Sequence, residues 1–428
     1  MEITLKKAQT IKEIYNIFKP EEFLTPEKKE FYVNIFEKDL KYIADIMEWS
    51  ENESETIFVA GQPGNGKSTA LRMLPIEHKI IQDEYEILYL NGRDKFDPAV
   101  PVDAIDVMLM IGFLFANKDK KLKNEYISKL EKLQSEKLGE LGKIAEHIGK
   151  QLESEKTQTN AGFGIDLKFL KIGADFEDNF RFDEETKLTT RKLLKSKKKD
   201  FIDLTNEIIK KYKHTLDDKK ILLVVDDIEK LNDSDSIFTH DIGVLLQIEC
   251  AKIITMPIHL KRKNAFAGQT AIEFSIKLKE KKEDNCITKN IDLLREIIYK
   301  RIDPDKKAFL IDDNAIDKIV LMSGGNIRQL TTLVKNSALD AKGFDKISLK
   351  NVQNAIYNLK KQYSSATQMM DKFLDYIAKN HKPEDFDEKN LELLSNATKQ
   401  QMIFAYHNSE SWYDVNPIVI DKEPCKIV

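Results

Sequence analysis

The sequence predicts an α/β protein in which a parallel sheet is flanked by helices. Two observations lead to this prediction. The short apolar run Thr56–Ala60 ends in a glycine-rich loop, and an apolar-periodic helix follows, which gives the order strand, turn, helix. The run Ile221–Val225 is apolar throughout, as expected of a central parallel strand covered on both faces, and two aspartates follow it.

The remaining chain supplies helices and further strands. Residues 1–55 have helical spacing, with Thr25 and Pro26 as a helix start. Further elements are predicted from apolar patterns: a helix at Val102–Phe115, and strands at Tyr85–Leu90, Lys252–Met256 and Glu273–Leu278.

The middle of the chain and its C-terminal part are mostly helical in pattern. Residues 118–200 are charged and read as an insertion of helices with a β-hairpin near 161–182. Residues 291–362 are helical in pattern. The tail from about 366 is predicted to have two helices and then two strand-like runs, Met402–Tyr406 and Pro417–Ile420.

Composition limits the class of protein. A chain of 428 residues suggests two or three domains, and 41% hydrophobic with 33% charged residues fits a folded soluble chain. The net charge of −4 excludes a globally basic surface, so nucleic-acid binding would need a local patch. No apolar stretch reaches the roughly 18 residues of a membrane span, and the N-terminus lacks a signal peptide's apolar region.

Three cysteines, Cys250, Cys286 and Cys425, lie far apart in the chain. Their odd number and spacing predict neither a disulfide framework nor a metal cluster. Together with the absence of targeting segments in the sequence, this favours a cytoplasmic location.

The loop after the first strand carries the clearest chemistry. It fits G-x-x-x-x-G-K-[ST], in which glycines let backbone N–H groups curl around phosphate oxygens at a helix N-terminus. Lys67 is expected to reach the β- and γ-phosphates of ATP, and the Ser68 hydroxyl to ligate Mg²⁺. A chance match has a probability of roughly 1–2% in a chain of this length. The nucleotide-binding residues predicted here are Gly61, Gln62, Pro63, Gly64, Asn65, Gly66, Lys67, Ser68 and Thr69.

The aspartates after Ile221–Val225 form a second motif. Ligands of parallel sheets bind outside the carboxyl ends of the strands, so both carboxylates would face the phosphates. Asp226 is expected to hold Mg²⁺ through water, and Asp227 to polarise the attacking water as general base, with Glu229 as the substitute. The alternative is that acidic residues simply end a strand in a solvated turn.

This order resembles the AAA+ superfamily of P-loop ATPases, especially its initiator-like and STAND-like prokaryotic branches, over residues 20 to about 345. Gly61–Thr69 looks like Walker A and Leu222–Asp227 like Walker B. Two further roles come only from the resemblance. Thr255 would be the polar sensor-1 residue near the γ-phosphate, or else a packed strand residue. Arg328, after the turn Ser323–Gly325, would be the sensor-2 arginine, or else a surface ion-pair partner.

The sequence departs from the AAA+ pattern in its Walker B motif, in its arginine finger and in the large insertion at 118–200. Walker B ends in Asp-Asp rather than Asp-Glu, which suits a slow switch more than a fast motor. No arginine finger is identifiable, and the two candidates, Arg262 and Arg301, are expected to be surface charges.

The resemblance implies a domain plan and partners. The fold would be an AAA+-like sheet with a helical lid and a small winged-helix-like domain. The ligands would be ATP and Mg²⁺, and the partners further copies of the chain and a separately encoded protein effector, with antiviral defence as one setting. The predicted domains are an N-terminal helical segment 1–55, an ATPase core 56–280 with an insertion at 118–200, a lid 281–362, and a C-terminal domain 363–428.

The competing function is a nucleic-acid-binding initiator or loader that contacts DNA through its C-terminal domain. Against it, the helix Asp387–Asn396 is acidic, and the basic run Lys195–Lys199 reads as a solvated helix face. The aromatic residues Tyr406, Trp412 and Tyr413 are expected to form a small core or a protein-interaction face rather than a stacking platform.

Overall fold

The computed structural model describes residues 6–97, 100–133, 191–192, 194–260, 269–407 and 411–427. The hairpin predicted near 161–182 and most of the predicted insertion lie outside these residues. The chain divides into two compact units. The first comprises Met1–Trp49, Ile57–Gln82 and Thr255–Val428, and the second comprises Ser50–Thr56 and Asp83–Ile254.

The central element is a five-stranded sheet in the order β2-β3-β4-β1-β5. Its described pairs are parallel, with Asn91 opposite Asp226 where β2 and β3 end. The strands β1, β3 and β4 are almost wholly buried, which explains their continuous apolar runs. The five strands are β1 Thr56–Ala60, β2 Tyr85–Asn91, β3 Lys220–Asp226, β4 Ala251–Met256 and β5 Thr270–Glu273.

Helices make up most of the rest of the described chain. The helix predicted at Val102–Phe115 is observed as α6, and a capping box of Asp103 and Asp106 starts it. The strand predicted at Glu273–Leu278 is wrong: the observed strand β5 is Thr270–Glu273, and residues 274–278 continue without strand structure although Phe274, Ile276 and Leu278 are buried. The helices of the two units up to β5 are α1 Ile11–Ile17, α2 Glu37–Trp49, α3 Lys67–Glu77, α4 Lys79–Glu84, α5 Gly92–Lys95, α6 Ala104–Ala116, α7 Lys198–Lys213 and α8 Ile242–Leu246.

The first unit continues beyond β5 with a helical region and a small α+β region. The run Pro417–Ile420, expected to be a strand, is a helical turn started by Asn416, and the hairpin partner of β6 is instead β7. No described helix of the chain could cross a membrane. The elements are α9 Thr288–Tyr299, α10 Pro304–Leu310, α11 Asp313–Met322, α12 Ile327–Asp340, α13 Leu349–Asn380, α14 Glu388–Lys399, β6 Ile403–His407, β7 Ser411–Val415 and α15 Pro417–Ile420.

In the second unit, a lysine is buried on β4. The Lys252 side chain is fully buried, and its Nζ donates to the carbonyl oxygens of Ile248, Cys250 and Ser54 at 2.8, 3.2 and 3.2 Å. Burial lowers the pKa of Lys252 to about 8, although the neighbouring Cys250 and Glu55 act in the opposite direction.

This burial predicts a pH-dependent stability. Between pH 8 and the ordinary lysine pKa near 10.5, the unfolded chain binds more protons at Lys252 than the folded chain, so the free energy of unfolding should rise with pH. Relative to a Lys252→Met variant, the wild type should gain about 2–3 kcal/mol between pH 7 and pH 10. Denaturant titrations of both proteins at four pH values measure this difference. A difference that stays constant with pH would contradict the prediction.

The first unit contains a disulfide, which corrects the expectation of none. Cys286 and Cys425 are bonded, with their Cα atoms 5.1 Å apart. The C-terminal segment returns to pair with the chain before α9, where Cys286 N donates to the Lys426 carbonyl (3.0 Å) and Lys426 N to that of Asp284 (2.7 Å). Spacing along the sequence could not show this proximity, because the two cysteines are 139 positions apart.

We expect a reducing agent to lower the melting temperature of the protein, since opening a bond that closes so long a loop costs about 2–5 kcal/mol. A Cys425→Ser variant should melt at the reduced temperature and should not respond to reductant. The control is Cys250→Ala, which removes the buried free thiol and should keep the full response. A wild-type protein whose melting ignores the reductant would exclude a stabilising disulfide.

Candidate functional site

The phosphate loop connects β1 to α3 in the first unit. Gly64 and Gly66 have φ of +86° and +87°, the left-handed region that glycine adopts at no steric cost. Gly66 directly precedes α3, which begins at Lys67. The loop therefore ends at a helix N-terminus, where unpaired N–H groups and the helix dipole favour anions.

Lys67 lies folded against its own loop. Only 3% of the residue is exposed, and Nζ donates to the carbonyl oxygens of Gly61 (2.8 Å) and Gln62 (3.2 Å). Gly61 leaves room for this arrangement, because a Cβ there would lie 2.6 Å from the Phe274 carbonyl oxygen and 3.0 Å from Lys67 Cδ. The lysine that the motif assigns to the phosphates is thus held at the loop by short-range contacts.

The start of α12 forms hydrogen bonds with the tip of the phosphate loop, residues Pro63 and Gly64. Asn326 Nδ2 donates to the Pro63 carbonyl at 2.8 Å, and the Arg328 backbone N–H donates to the Gly64 carbonyl at 3.0 Å. The C=O and N–H of a trans peptide point in opposite directions, so the Asn326 bond also fixes the direction of the Gly64 N–H. A Cβ on Gly64 would lie 2.6 Å from Asn326 Oδ1, which leaves no room for any side chain.

The Arg328 side chain points toward the N-terminal segment. Its Nε donates to the Pro20 carbonyl at 3.4 Å and lies 3.5 Å from a Glu21 carboxylate oxygen. The backbone of Arg328 therefore lies beside the phosphate loop, as its predicted sensor role requires. Its guanidinium contacts Pro20 and Glu21. The sensor role stays a prediction.

The predicted N-terminal segment 1–55 contacts the helix α3, and this segment was not predicted to be part of the site. Leu24 N donates to the Thr69 hydroxyl at 3.1 Å, and the Arg72 guanidinium lies 4.1 Å from the centre of the Phe23 ring. The contacts lie along the first turns of α3. The sequence offers no local signal for this placement, because it depends on tertiary packing more than 40 residues away.

In the second unit, the two Walker B aspartates end β3. Asp226 and Asp227 are both buried, and Asp227 has φ of +62°, an unusual conformation for a residue with a side chain. The Asp227 N–H donates to Asp226 Oδ1 at 2.9 Å. The loop is packed closely by Gly92, where a Cβ would meet the Asp227 carbonyl oxygen at 3.0 Å.

Two cations surround the Asp227 carboxylate. Lys230 forms an ion pair and hydrogen bond with its Oδ1, and Arg93 Nε lies 3.8 Å from Oδ2. Lys230 therefore occupies a lone pair on Oδ1, whereas Arg93 Nε lies beyond hydrogen-bonding distance of Oδ2. Glu229, the substitute candidate for the base, is also buried.

Sequence reasoning missed the residues around this motif. Asn91 lies opposite Asp226 in the sheet, and its Oδ1 accepts from the N–H groups of Arg93 and Asp94 to start α5. A signal was available, because a polar residue at the end of a strand beside β3 lies at the same edge of the sheet. Arg93 and Lys230 had no motif to mark them.

The remaining candidates are placed as follows. Thr255 is fully buried in β4. Arg301 was expected at the surface, and this is wrong: it is 8% exposed, and its Nη1 donates to the carbonyl oxygens of Ile297 and Phe31. Burial lowers its pKa to about 10. Arg262 lies outside the described residues.

Comparison with known proteins agrees with this geometry. Residues 36–246, which include the phosphate loop and the Walker B aspartates, match the family model described as the KAP family P-loop domain. The chain contains a P-loop NTPase domain. No curated protein shows significant sequence similarity to the chain.

Among solved structures, RuvB of Thermotoga maritima is similar to the chain. A single-residue variant of RuvB is 13% identical, with a TM-score of 0.39 over 90% of this chain and 92% of that one. RuvB described as a Holliday junction branch migration motor is 12% identical, with a TM-score of 0.38 over 91% and 96%. Identities of this size do not carry a function from one chain to another.

The predicted α/β fold class is confirmed: the P-loop NTPase domain has a parallel sheet flanked by helices. The winged-helix description of residues 363–428, the other domain boundaries and the roles of single site residues stay predictions. So does the assignment to an initiator-like or STAND-like branch.

Proposed function

We propose that the chain is an ATP-binding and slowly ATP-hydrolysing switch that controls a separately encoded protein partner. The observation that carries the proposal is the double attachment of the loop tip to the start of α12, through Asn326 to Pro63 and Arg328 to Gly64. A change at the phosphates can therefore move a helix inside the region 281–362, which is predicted to be a lid. That is the minimum a switch requires, a ligand site and an element that responds to it.

The chemistry assigned to the residues follows the motif. The loop amides and Lys67 would bind the β- and γ-phosphates. Mg²⁺ usually takes one or two protein oxygens together with phosphate oxygens and water, and the Ser68 hydroxyl and the Asp226 carboxylate are donors of this kind. The metal would neutralise charge on the transferred phosphate. Asp227 or Glu229 would orient and deprotonate the attacking water.

Two parts of the proposal rest on the AAA+ resemblance alone. These are assembly with further copies of the chain and a role in regulation, with antiviral defence as one setting. A cytoplasmic location is also proposed, and the Cys286–Cys425 bond counts against it, since disulfides are rare in reducing compartments.

The experiment is a pair of measurements on the full chain. Calorimetry should show binding of ATP with Mg²⁺, and phosphate release should be slow. Hydrogen exchange at α12 should then differ between the complexes with ATP and with ADP. Binding of both nucleotides with the same exchange at α12 would contradict the switch while leaving nucleotide binding intact.

The competing function, nucleic-acid binding through the C-terminal domain, finds little support in that region. Tyr406 and Trp412 are stacked on each other, with ring centroids 4.4 Å apart, and both are buried. Buried rings cannot stack on bases. A titration with DNA at two salt concentrations tests this function, because phosphate contacts weaken steeply as salt rises.

A further inference from the structure

The hairpin β6–β7 contacts the phosphate loop directly. Gln62, in the first turn of the loop, is 1% exposed, and its Nε2 donates to the Ala405 carbonyl on β6 at 3.1 Å. The two residues are 343 positions apart. A side chain of the loop is thus bonded to the backbone of the C-terminal hairpin, in a place where water cannot replace the bond.

A second connection runs through α12. The side chains of Gln329 and Asn416 exchange two hydrogen bonds, of 3.0 and 2.8 Å, and both residues are buried. Asn416 ends the hairpin and starts α15 by accepting from Ile418 N. The backbone N–H of Gln329 in turn donates to Asn326 Oδ1, and Asn326 Nδ2 donates to the Pro63 carbonyl.

Close packing also prevents the hairpin from sliding relative to the turn before α12. Gly324, in the turn before α12, has φ of +60°. A Cβ there would lie 2.3 Å from Phe404 Cε2 and 3.0 Å from Pro417 Cδ. The ring of a hairpin residue therefore packs against bare backbone. The hairpin cannot shift by much without moving the start of α12 and, through Asn326, the loop.

We propose that the hairpin β6–β7 positions the phosphate loop, with Gln62 as the positioning residue, and that nucleotide binding is in turn felt at Trp412 on β7. The inference rests on the proposed nucleotide binding. Coupling between two sites is reciprocal, so an element that stabilises the binding-competent loop must itself be stabilised when the ligand binds.

The chain offers its own reporter for this coupling. It has two tryptophans, Trp49 with 83% exposure and Trp412 with 4% exposure. A Trp49→Phe variant leaves Trp412 as the single tryptophan, stacked on Tyr406 beside Ala405. Titration of this variant with ATP and Mg²⁺ should change the Trp412 emission with the same dissociation constant that calorimetry gives.

Gln62→Leu in the same background removes the donor while keeping the side-chain size. We expect ATP affinity to fall about three- to tenfold, as for the loss of one buried hydrogen bond. The Trp412 response at saturating ATP should shrink. Gln329→Met, which breaks the pair with Asn416, should act in the same direction. The matched control is Gln9→Leu, which removes an exposed bond of equal length, 3.1 Å from Nε2 to Asp303, and should change neither quantity.

The outcomes distinguish a failure of the positioning role from a failure of nucleotide binding. If ATP binds the Trp49→Phe variant but Trp412 emission stays constant, or if Gln62→Leu and Gln329→Met bind ATP like the parent, the positioning role is wrong and nucleotide binding stands. If ATP does not bind the parent variant at all, the proposed function fails and the inference fails with it. Circular dichroism of each variant shows whether a lost response reflects a lost fold.

Discussion

Replacing Lys67 with alanine should weaken ATP binding by at least about 100-fold. The ammonium is the charged donor that the loop offers to the β- and γ-phosphates, and charge-assisted hydrogen bonds of this kind are worth about 1.5–3 kcal/mol each. Two such bonds account for a loss of this size. Calorimetry with ATP and Mg²⁺ measures it directly.

The fold should survive this substitution. Lys67 donates to carbonyl oxygens of its own loop, those of Gly61 and Gln62, and alanine is a good residue for the first turn of α3. Lys38→Ala, on the exposed side of α2, is the matched control for the loss of one positive charge. An unchanged ATP affinity in Lys67→Ala would remove the assignment of this loop as the phosphate site.

Asp227→Asn should leave the dissociation constant for ATP within about twofold and lower the turnover number by about 100-fold or more, which is the size of a general-base contribution. The amide keeps the shape of the side chain but cannot accept a proton. Single-turnover phosphate release, with ATP bound at saturation, separates the chemical step from binding.

The surroundings of Asp227 make a second variant necessary. Because Lys230 and Arg93 engage its carboxylate, the alternative is that Glu229 deprotonates the water. Glu229→Gln then shows the large loss and Asp227→Asn a small one. Lys230→Arg keeps the ion pair and should turn over like the wild type in either case. If both acid variants hydrolyse ATP normally, neither carboxylate is the base.

The elements predicted correctly from the sequence are those whose residue types are restricted by their own local conformation or burial. The strand before the phosphate loop, its glycines and the all-apolar strand β3 could be identified because burial on both faces and left-handed turns restrict residue choice strongly. The helix α12 was predicted from the Gly324–Gly325 turn, whose residues both have positive φ.

Contacts between distant segments could not be predicted in this way. The bond from Gln62 to Ala405, the placement of Leu24 against Thr69 and the Cys286–Cys425 pair each join residues whose own neighbours in sequence carry no mark of the partner. The burial of Lys252 and Arg301 could not be predicted either. A charged residue in a sequence is expected at the surface, and only the folded structure shows the carbonyl oxygens that accept hydrogen bonds from these two side chains.

The contact between Gly64 and Asn326 also restricts how this chain can evolve. A side chain at position 64 would strike the asparagine, and a shorter residue at position 326 would lose the bond to Pro63 that fixes the loop. A shorter residue at position 326 would not open position 64, because a Cβ there would also lie 2.8 Å from Arg328 Cβ and the backbone has φ of +86°. Random mutagenesis under selection should therefore keep glycine at codon 64, even in variants whose codon 326 has changed.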